Sequence, residues 1–224
     1  SQVVSEEISA AQATSRTRVS YEYDPRGIRI TKLDETDATA DDTYETRRET
    51  RYTIDHHNPT GYAQTVEEQT VDPSTGNPVS KKVYVFGHDE ITQTTYLYNT
   101  TTGQLESEST HTFLHDGHGS VRALAAANLV EAYTYAAYGD LLAIHNAQTT
   151  LTATTADTAL TSLLYSGEHF DAKIAQQYLR ARWYNPATGT FNRLDPFFGN
   201  LNDPQSLHKR LYCHGDPVNG WDPT

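Results

Sequence analysis

The chain has 224 residues, 36% of them hydrophobic, and a net charge of −12. This charge argues against duplex nucleic acid and against an anionic membrane surface as partners, because both require a basic surface. No run approaches the ~18 apolar residues of a membrane span, and the first residues lack the basic start and apolar core of a signal peptide.

Tyrosine is the main aromatic residue, with 15 tyrosines against 6 phenylalanines and 2 tryptophans. A tyrosine suits a half-buried pleated surface, where its ring is inside and its hydroxyl meets water. The only cysteine is Cys213, which excludes an intrachain disulfide and a thiolate metal cluster. Since the sequence contains no methionine, we expect it to be a piece of a longer protein.

The first predicted element is a hairpin over 19–33, where VSYEYDPRGIRITKL places Asp24 and Gly27 between alternating residues. Aspartate and glycine are typical of tight turns. The acidic segment 34–45 is predicted to be a solvated hairpin loop. Turn clusters then separate further strands at intervals of about 8–12 residues. These strands are predicted over 51–54, 63–68, 82–86, 92–98 and 106–112.

Two more hairpins of the first kind follow along the chain. FLHDGHGSVRAL, within 111–135, repeats the turn with Asp116 and Gly119, and 131–145 repeats it more loosely with Gly139. Segment 145–162 is rich in threonine and alanine. It is predicted to be a linker, and a helix over 153–163 is the alternative.

The pattern of residues changes after residue 163. One predicted strand presents Tyr178, Arg180, Arg182 and Tyr184 on one face, with their guanidiniums stacked on rings across strands. NPATG at 185–189 predicts a hairpin turn. Four Asp-Pro pairs begin at Asp195, Asp203, Asp216 and Asp222. A short helix is predicted over 203–209, with Asp203 as its N-cap and Pro204 at its first position.

These elements predict an all-β protein of consecutive antiparallel β-hairpins in a curved or spiralling sheet, followed by a C-terminal plug with short helices. We expect two domains, a hairpin array over 1–162 and a C-terminal domain over 163–224.

Two groups of motifs resemble a known family. YEYDPRG and FLHDGHGSVRAL resemble the YD repeats of rearrangement-hotspot (RHS) proteins, and the region after residue 163 resembles the RHS-repeat-associated core domain. The chain departs from the family pattern at Thr190, where arginine is usual, and at 174–176, where Thr-Gly-Leu is usual. The residues that match the core-domain pattern are Tyr165, Gly167, Asp171, Tyr178, Arg180, Ala181, Arg182, Tyr184, Pro186, Gly189, Phe191, Asp195, Pro196, Tyr212, Pro217, Asp222 and Pro223.

The resemblance implies a function. RHS repeats form a hollow β-shell, and the core domain caps one end, curls inward and, in toxin-bearing members, closes a shell that holds a variable C-terminal polypeptide. Many members cleave themselves after the core by an aspartate-dependent reaction. We therefore expect an encapsulating shell segment of a secreted or cell-surface bacterial protein, with autoproteolysis as its only enzymatic activity. The alternative is a structural or adhesive YD-repeat protein that does not cleave itself.

Asp195 and Asp222 are the predicted catalytic pair. Two neighbouring carboxylates do not both ionise easily, so one can act as acid and the other as base. Arg193 is expected to hold one of them in its charged form. The alternative is that the Asp-Pro pairs only initiate turns. The sequence ends at Thr224, before the glycine and leucine that precede the family's cleavage point, so we expect the scissile bond to lie outside it.

No metal ion or other cofactor is expected. His115, Asp116 and His118 offer metal-ligand chemistry, but they fit a YD-repeat turn better. Cys213 and His214 are adjacent on a predicted strand and point to opposite faces, so the imidazole cannot activate the thiol. The expected partners are upstream repeats of the same polypeptide or another copy, since open strand edges pair, and an enclosed C-terminal cargo.

Overall fold

The computed structural model describes residues 2–7, 15–39, 41, 43–147, 151–153 and 156–220. This part of the chain forms sixteen strands and four short 3₁₀-helices. Strands β1 to β12 are hydrogen-bonded to their neighbours in sequence order, and β13 to β16 form a second sheet in the same manner. The predicted class, all-β with consecutive antiparallel hairpins, is confirmed. Among the described residues no helix is long and apolar enough to cross a membrane.

The chain divides into two compact units, the first of which is Ser1–Thr110. It contains seven antiparallel strands and the beginning of the eighth. These strands are β1 Gln2–Glu7, β2 Arg16–Tyr23, β3 Arg29–Asp37, β4 Thr46–Asp55, β5 Gln64–Val71, β6 Pro78–Phe86, β7 Glu90–Tyr98 and β8 Leu105–His115. The five strands predicted between residues 51 and 112 all lie within or overlap β4 to β8, which are longer because their neighbours extend the pairing.

The prediction of a solvated loop over 34–45 is wrong for its first four residues. Strand β3 continues to Asp37 because β2 pairs with it along its whole length. Glu35 is buried and forms ion pairs with Arg18 at 2.7 Å and Arg47 at 2.9 Å. Asp37 is fully buried. Arginines on both neighbouring strands thus offset the acidity that suggested a loop.

Polar side chains stabilise much of this first sheet. The Tyr84 hydroxyl donates to Glu68 Oε1 at 2.6 Å, and the guanidinium carbon of Arg29 lies 4.1 Å from the centre of the Tyr52 ring. All six residues over 105–110 are exposed. Because successive side chains on a strand point to opposite faces, both faces of this part of β8 are open to solvent.

The second unit is His111–Thr224. It contains the rest of β8, four strands that continue the first sheet, and the second sheet. The strands are β9 Val121–Ala125, β10 Leu129–Tyr135, β11 Leu141–Asn146, β12 Leu151–Ala153, β13 His169–Asp171, β14 Gln176–Leu179, β15 Arg182–Asn185 and β16 Thr190–Phe191. The 3₁₀-helices are Ala156–Thr158, Tyr165–Gly167, Pro204–Leu207 and Tyr212–Gly215.

Four sequence predictions in this unit need correction. The linker predicted over 145–162 contains strand β12, and Cys213 and His214 lie in the 3₁₀-helix Tyr212–Gly215 with positive φ, not on a strand. The single strand over 178–184 is a tight hairpin, in which Leu179 pairs with Arg182 and Arg180 has a left-handed backbone with φ of +52°. The helical alternative over 153–163 is wrong for the described residues, where only Ala156–Thr158 forms a helical turn. The domain boundary at 162/163 stays a prediction; it lies between the last strand of the first sheet and the first strand of the second.

Three turns share one backbone geometry, as their sequences predict. In the turn at 24–28, the Asp24 amide donates to Ile28 O at 2.8 Å and the Gly27 amide donates to Asp24 O at 2.9 Å. The turns at 116–120 and 136–140 have the same two bonds. The glycines of the three turns are Gly27, Gly119 and Gly139, and all three have φ between +81° and +87°. The strand pairing shifts register directly beside each turn.

Candidate functional site

Asp195 lies in the loop after β16 and uses both carboxylate oxygens. Its backbone amide donates to Lys209 O at 2.8 Å. Oδ1 accepts the Phe197 amide at 2.8 Å, which forms the turn expected of an Asp-Pro pair. Oδ2 lies 2.9 Å from Nη1 of Arg182. The loop and the ion pair together fix the orientation of this carboxylate.

The arginine next to Asp195 is Arg182, whereas the sequence suggested Arg193. Arg182 begins β15, is buried, and places its guanidinium carbon 3.7 Å from the centre of the Phe191 ring. This contact confirms the expected stacking of a guanidinium on a ring across strands. Arg193 is exposed, and no ion pair joins it to Asp195 in the described part of the chain.

Of the other three Asp-Pro pairs, those at Asp203 and Asp216 lie within the described residues. Asp222 lies outside the described residues, so its pairing with Asp195 stays a prediction. Asp203 accepts the Gln205 amide at 3.3 Å and caps the 3₁₀-helix that begins at Pro204, which confirms the predicted cap. Asp216 opens a turn, since it accepts the amide of Asn219 at 3.2 Å. Asp203 and Asp216 therefore have local structural roles.

A group of tyrosines, which we call the tyrosine cluster, packs beside this Asp-Pro region. It comprises Tyr138, Tyr165, Tyr184 and Tyr212. The rings of Tyr184 and Tyr212 stack with centroids 4.1 Å apart, and both side chains are buried. The Tyr184 hydroxyl donates to Tyr138 O at 2.8 Å. The tyrosine cluster thus connects the turn between β10 and β11 to the second sheet.

Two hydroxyls of the tyrosine cluster reach the last described residues. The Tyr165 hydroxyl lies 2.8 Å from Pro217 O and 3.0 Å from Ala137 O, and the Tyr138 hydroxyl donates to Gly215 O at 3.2 Å. Burial raises the pKa of Tyr165 to about 12. This hydroxyl therefore keeps its proton, and with it its donor role, throughout the neutral pH range.

Two glycines make this close packing possible. A Cβ on Gly139 would lie 2.5 Å from the Tyr165 ring, and a Cβ on Gly189 would lie 2.8 Å from the Tyr138 ring. Both glycines also have positive φ, at +87° and +68°, which other residues rarely adopt. The rings of Tyr165 and Tyr138 therefore pack directly against the backbone of Gly139 and Gly189.

An internally bonded loop over 195–209 presents apolar side chains to solvent. Phe198 is 91% exposed and Leu201 is 88% exposed. The loop is closed at its base by the bond from Asp195 to Lys209, and its interior is held by the Asn200 amide, which donates to Ser206 Oγ at 2.6 Å.

Comparison with known proteins identifies the fold. A chain in the crystal structure of TcdB2-TccC3-TEV matches 97% of this chain, with a TM-score of 0.63 and 16% sequence identity. A chain in the crystal structure of TcdB2-TccC3 matches 96%, with a TM-score of 0.64 and 17% identity. The present chain covers 10% and 9% of those chains, respectively. No family model matches the chain, and no curated protein matches its sequence.

Sequence reasoning missed the Arg182 ion pair and the hydroxyl contacts of the tyrosine cluster. The hairpin at Arg180 brings Arg182 toward Asp195, and this hairpin has none of the glycine, asparagine or aspartate signals that announced the others. Tyr165 was visible as a residue that matches the core-domain pattern, but its acceptors are 28 and 52 residues away along the chain.

Proposed function

We propose that this chain forms part of the wall and the end plug of an RHS-type shell that encloses a C-terminal polypeptide. The supporting observation is the run of antiparallel hairpins in sequence order, whose match to the TcdB2-TccC3 chains extends over nearly the whole sequence. The YD-type turns at 24–28, 116–120 and 136–140 support the same assignment.

The surface of the first unit suits a wall. A sheet in a sandwich buries one face in a continuous apolar core. Here the first unit relies on cross-strand polar pairs, such as Tyr84 with Glu68, and residues 105–110 are exposed on both faces. In this proposal, the sheet forms a wall and this part of β8 needs no second layer on either face.

For the plug we propose self-cleavage by Asp195 and Asp222. The ion pair with Arg182 requires the charged form of Asp195, which is the form that a general base needs. In this mechanism Asp195 takes a proton from a water molecule, whose oxygen attacks the carbonyl carbon of the scissile peptide. Protonated Asp222 gives its proton to the leaving nitrogen as the C–N bond breaks.

The test uses the natural gene product that contains this sequence and its C-terminal continuation. A denaturing gel should show two fragments for the wild type and one intact chain for Asp195→Asn and Asp222→Asn. Asp203→Asn is the matched control, since it changes another Asp-Pro pair that has only a capping role, and it should cleave normally. An uncleaved wild type, or normal cleavage in both variants, would refute the catalytic pair.

The second candidate is a structural end cap that does not cleave itself. It is favoured by the observation that both oxygens of Asp195 already have structural partners, the Phe197 amide and Arg182. A shell can enclose a polypeptide without cleaving itself, so enclosure and cleavage can be tested separately. An intact wild-type chain that still surrounds a protease-resistant C-terminal polypeptide would support this second candidate.

A further inference from the structure

The turn over 216–220 contains Asn219, the one asparagine of the sequence that is followed by glycine. Such a pair can modify itself, because glycine has no Cβ and its amide nitrogen can approach the side-chain carbonyl carbon, Cγ, of the asparagine. The other asparagines precede either a larger residue or a proline, which has no amide proton to lose. Asn219 and Gly220 are thus the pair in this chain that is chemically best suited to cyclisation.

The folded turn opposes this reaction at both reacting groups. The Gly220 amide donates to Asp216 O at 2.9 Å, so the nitrogen that would attack is already bonded to a backbone carbonyl. The Asn219 side chain is held by the Asp216 carboxylate, since Nδ2 lies 3.0 Å from Oδ1 and 3.1 Å from Oδ2. The backbone amide of Asn219 donates to the same Oδ1 at 3.2 Å. Asp216 therefore engages both the attacking nitrogen and the carboxamide that it would attack.

The surroundings of the pair oppose the reaction as well. Attack requires the Gly220 nitrogen to lose its proton, and the nearby Asp216 carboxylate disfavours a second negative charge. The residue after Asp216 is fixed, because Pro217 is buried and its carbonyl accepts the Tyr165 hydroxyl at 2.8 Å. Asn219 itself is exposed, so water reaches it. The reaction thus depends on opening of the turn and not on access of solvent.

We propose that Asn219 and Gly220 form a latent self-modification site, which Asp216 keeps unreactive while the turn is folded. When the turn opens, the Gly220 nitrogen bonds to Asn219 Cγ, its proton passes through solvent to Nδ2, and Nδ2 leaves as ammonia. Water then opens the cyclic imide at either of its carbonyls, which gives aspartate or isoaspartate at position 219. The reaction needs no other reactant, and it is independent of the proposed self-cleavage.

The product replaces an attraction to Asp216 with a repulsion. Aspartate at position 219 has no Nδ2 donor, so the bonds at 3.0 Å and 3.1 Å are lost and two carboxylates face each other. Isoaspartate in addition carries the main chain through Cβ, which lengthens the turn. Either product loosens the turn irreversibly, so the site acts as a one-way charge switch on the surface of the second unit.

The test measures deamidation of Asn219 by peptide mass spectrometry at mildly alkaline pH, in the natural full-length protein, both folded and unfolded in urea. Asp216→Ala is compared with Asp203→Ala, the matched control, because Asp203 also begins an Asp-Pro pair and accepts a backbone amide, that of Gln205. Asp216→Asn removes the charge but keeps one acceptor oxygen, and Pro217 prevents cyclisation at the new side chain. Circular dichroism establishes which variants fold.

We expect deamidation in the folded wild type to be at least about tenfold slower than in urea, because the turn must first open. Asp216→Ala should lose most of this protection, Asp216→Asn should have an intermediate rate, and Asp203→Ala should match the wild type. If Asp216→Ala does not fold, the comparison of Asp216→Asn with Asp203→Ala decides the role of Asp216.

The charge switch is tested separately with Asn219→Asp, which imitates one of the products. Its control is Asn202→Asp, which adds the same charge at another exposed position. Hydrogen exchange of the peptide that covers 216–220 should be faster in Asn219→Asp than in this control.

The measurements can overturn each part. Equal deamidation rates in the folded and unfolded wild type would overturn the protection, and wild-type rates in the folded Asp216 variants would overturn the role of Asp216. Equal exchange in Asn219→Asp and Asn202→Asp would overturn the charge switch. A full-length protein that does not cleave itself would refute the proposed self-cleavage and leave these results unchanged.

Discussion

Replacing Arg182 with glutamine tests the most specific contact of the candidate site. The Arg182→Gln variant loses a hydrogen bond to a charged group, which contributes about 1.5–3 kcal/mol, and a cation–π contact worth about 0.5–1 kcal/mol. The Asp195 side chain is 33% exposed, so water replaces part of the lost interaction. We therefore expect the free energy of unfolding of the second unit to fall by about 2–3 kcal/mol.

For a unit of this size, that loss lowers the thermal midpoint by about 10 °C. Circular dichroism during heating measures it. The control is Arg193→Gln, which changes an exposed arginine without a bond to Asp195 and should cost less than about 0.5 kcal/mol. A double-mutant cycle with Asp195→Asn isolates the ion pair. Equal losses in Arg182→Gln and Arg193→Gln, or a coupling energy near zero, would refute this reasoning.

Three further predictions concern the second unit. Gly139→Ala should lower the thermal midpoint much more than Gly119→Ala. The two glycines lie in equivalent turns with similar φ, but no atom lies within 4 Å of a Cβ added to Gly119. Equal losses would mean that backbone strain alone determines the cost. Stability should fall as the pH rises from about 10 to 12, because Tyr165 has a pKa of about 12 when folded and about 10 when unfolded. Tyr165→Phe should weaken this dependence in alkaline unfolding curves, and an unchanged curve would contradict it. Ala136→Asp should raise the free energy of unfolding by about 0.5–1 kcal/mol, since Asp116 in the equivalent turn accepts two backbone amides. Denaturant unfolding measures this change. A loss of stability would contradict the claim that the two turns are equivalent.

The hairpins were predictable because their signals are local. Asp24 accepts the amides of Arg26 and Ile28 within its own turn, and Gly27 supplies the positive φ that the turn requires. Alternating residues on either side then place one face of each strand inward. The same local logic predicted the cap at Asp203 and the turn at 185–189.

The corrected segments depend on contacts that are distant in sequence. Glu35 is buried in β3 because Arg18 of β2 and Arg47 of β4 form ion pairs with its carboxylate. The hairpin at 180–181 has no glycine, yet Arg180 adopts a left-handed conformation and bonds to Glu168 at 2.8 Å. Neither partnership is visible in the local pattern. This is why the acidic segment suggested a loop and residues 178–184 suggested one strand.

The candidate site was predictable in part. Asp195 stood out because it begins an Asp-Pro pair and matches the family pattern, whereas its partner was assigned to the nearer arginine in sequence. The structure instead places Arg182, the first residue of β15, beside the Asp195 carboxylate in the loop after β16. The catalytic role of Asp195 stays a prediction, and tertiary packing determines which cation its carboxylate meets.

The self-contained turns of the first sheet affect how such a protein can change in length. The turn at 136–140 closes with the same two backbone bonds as its relatives although alanine replaces aspartate at its first position. Since each turn sets the register of its own two strands, a hairpin can be gained or lost by duplication or deletion while the pairing of distant strands is kept. Evolution could therefore lengthen the sheet in two-strand steps, and damage to one turn would remain confined to its neighbours.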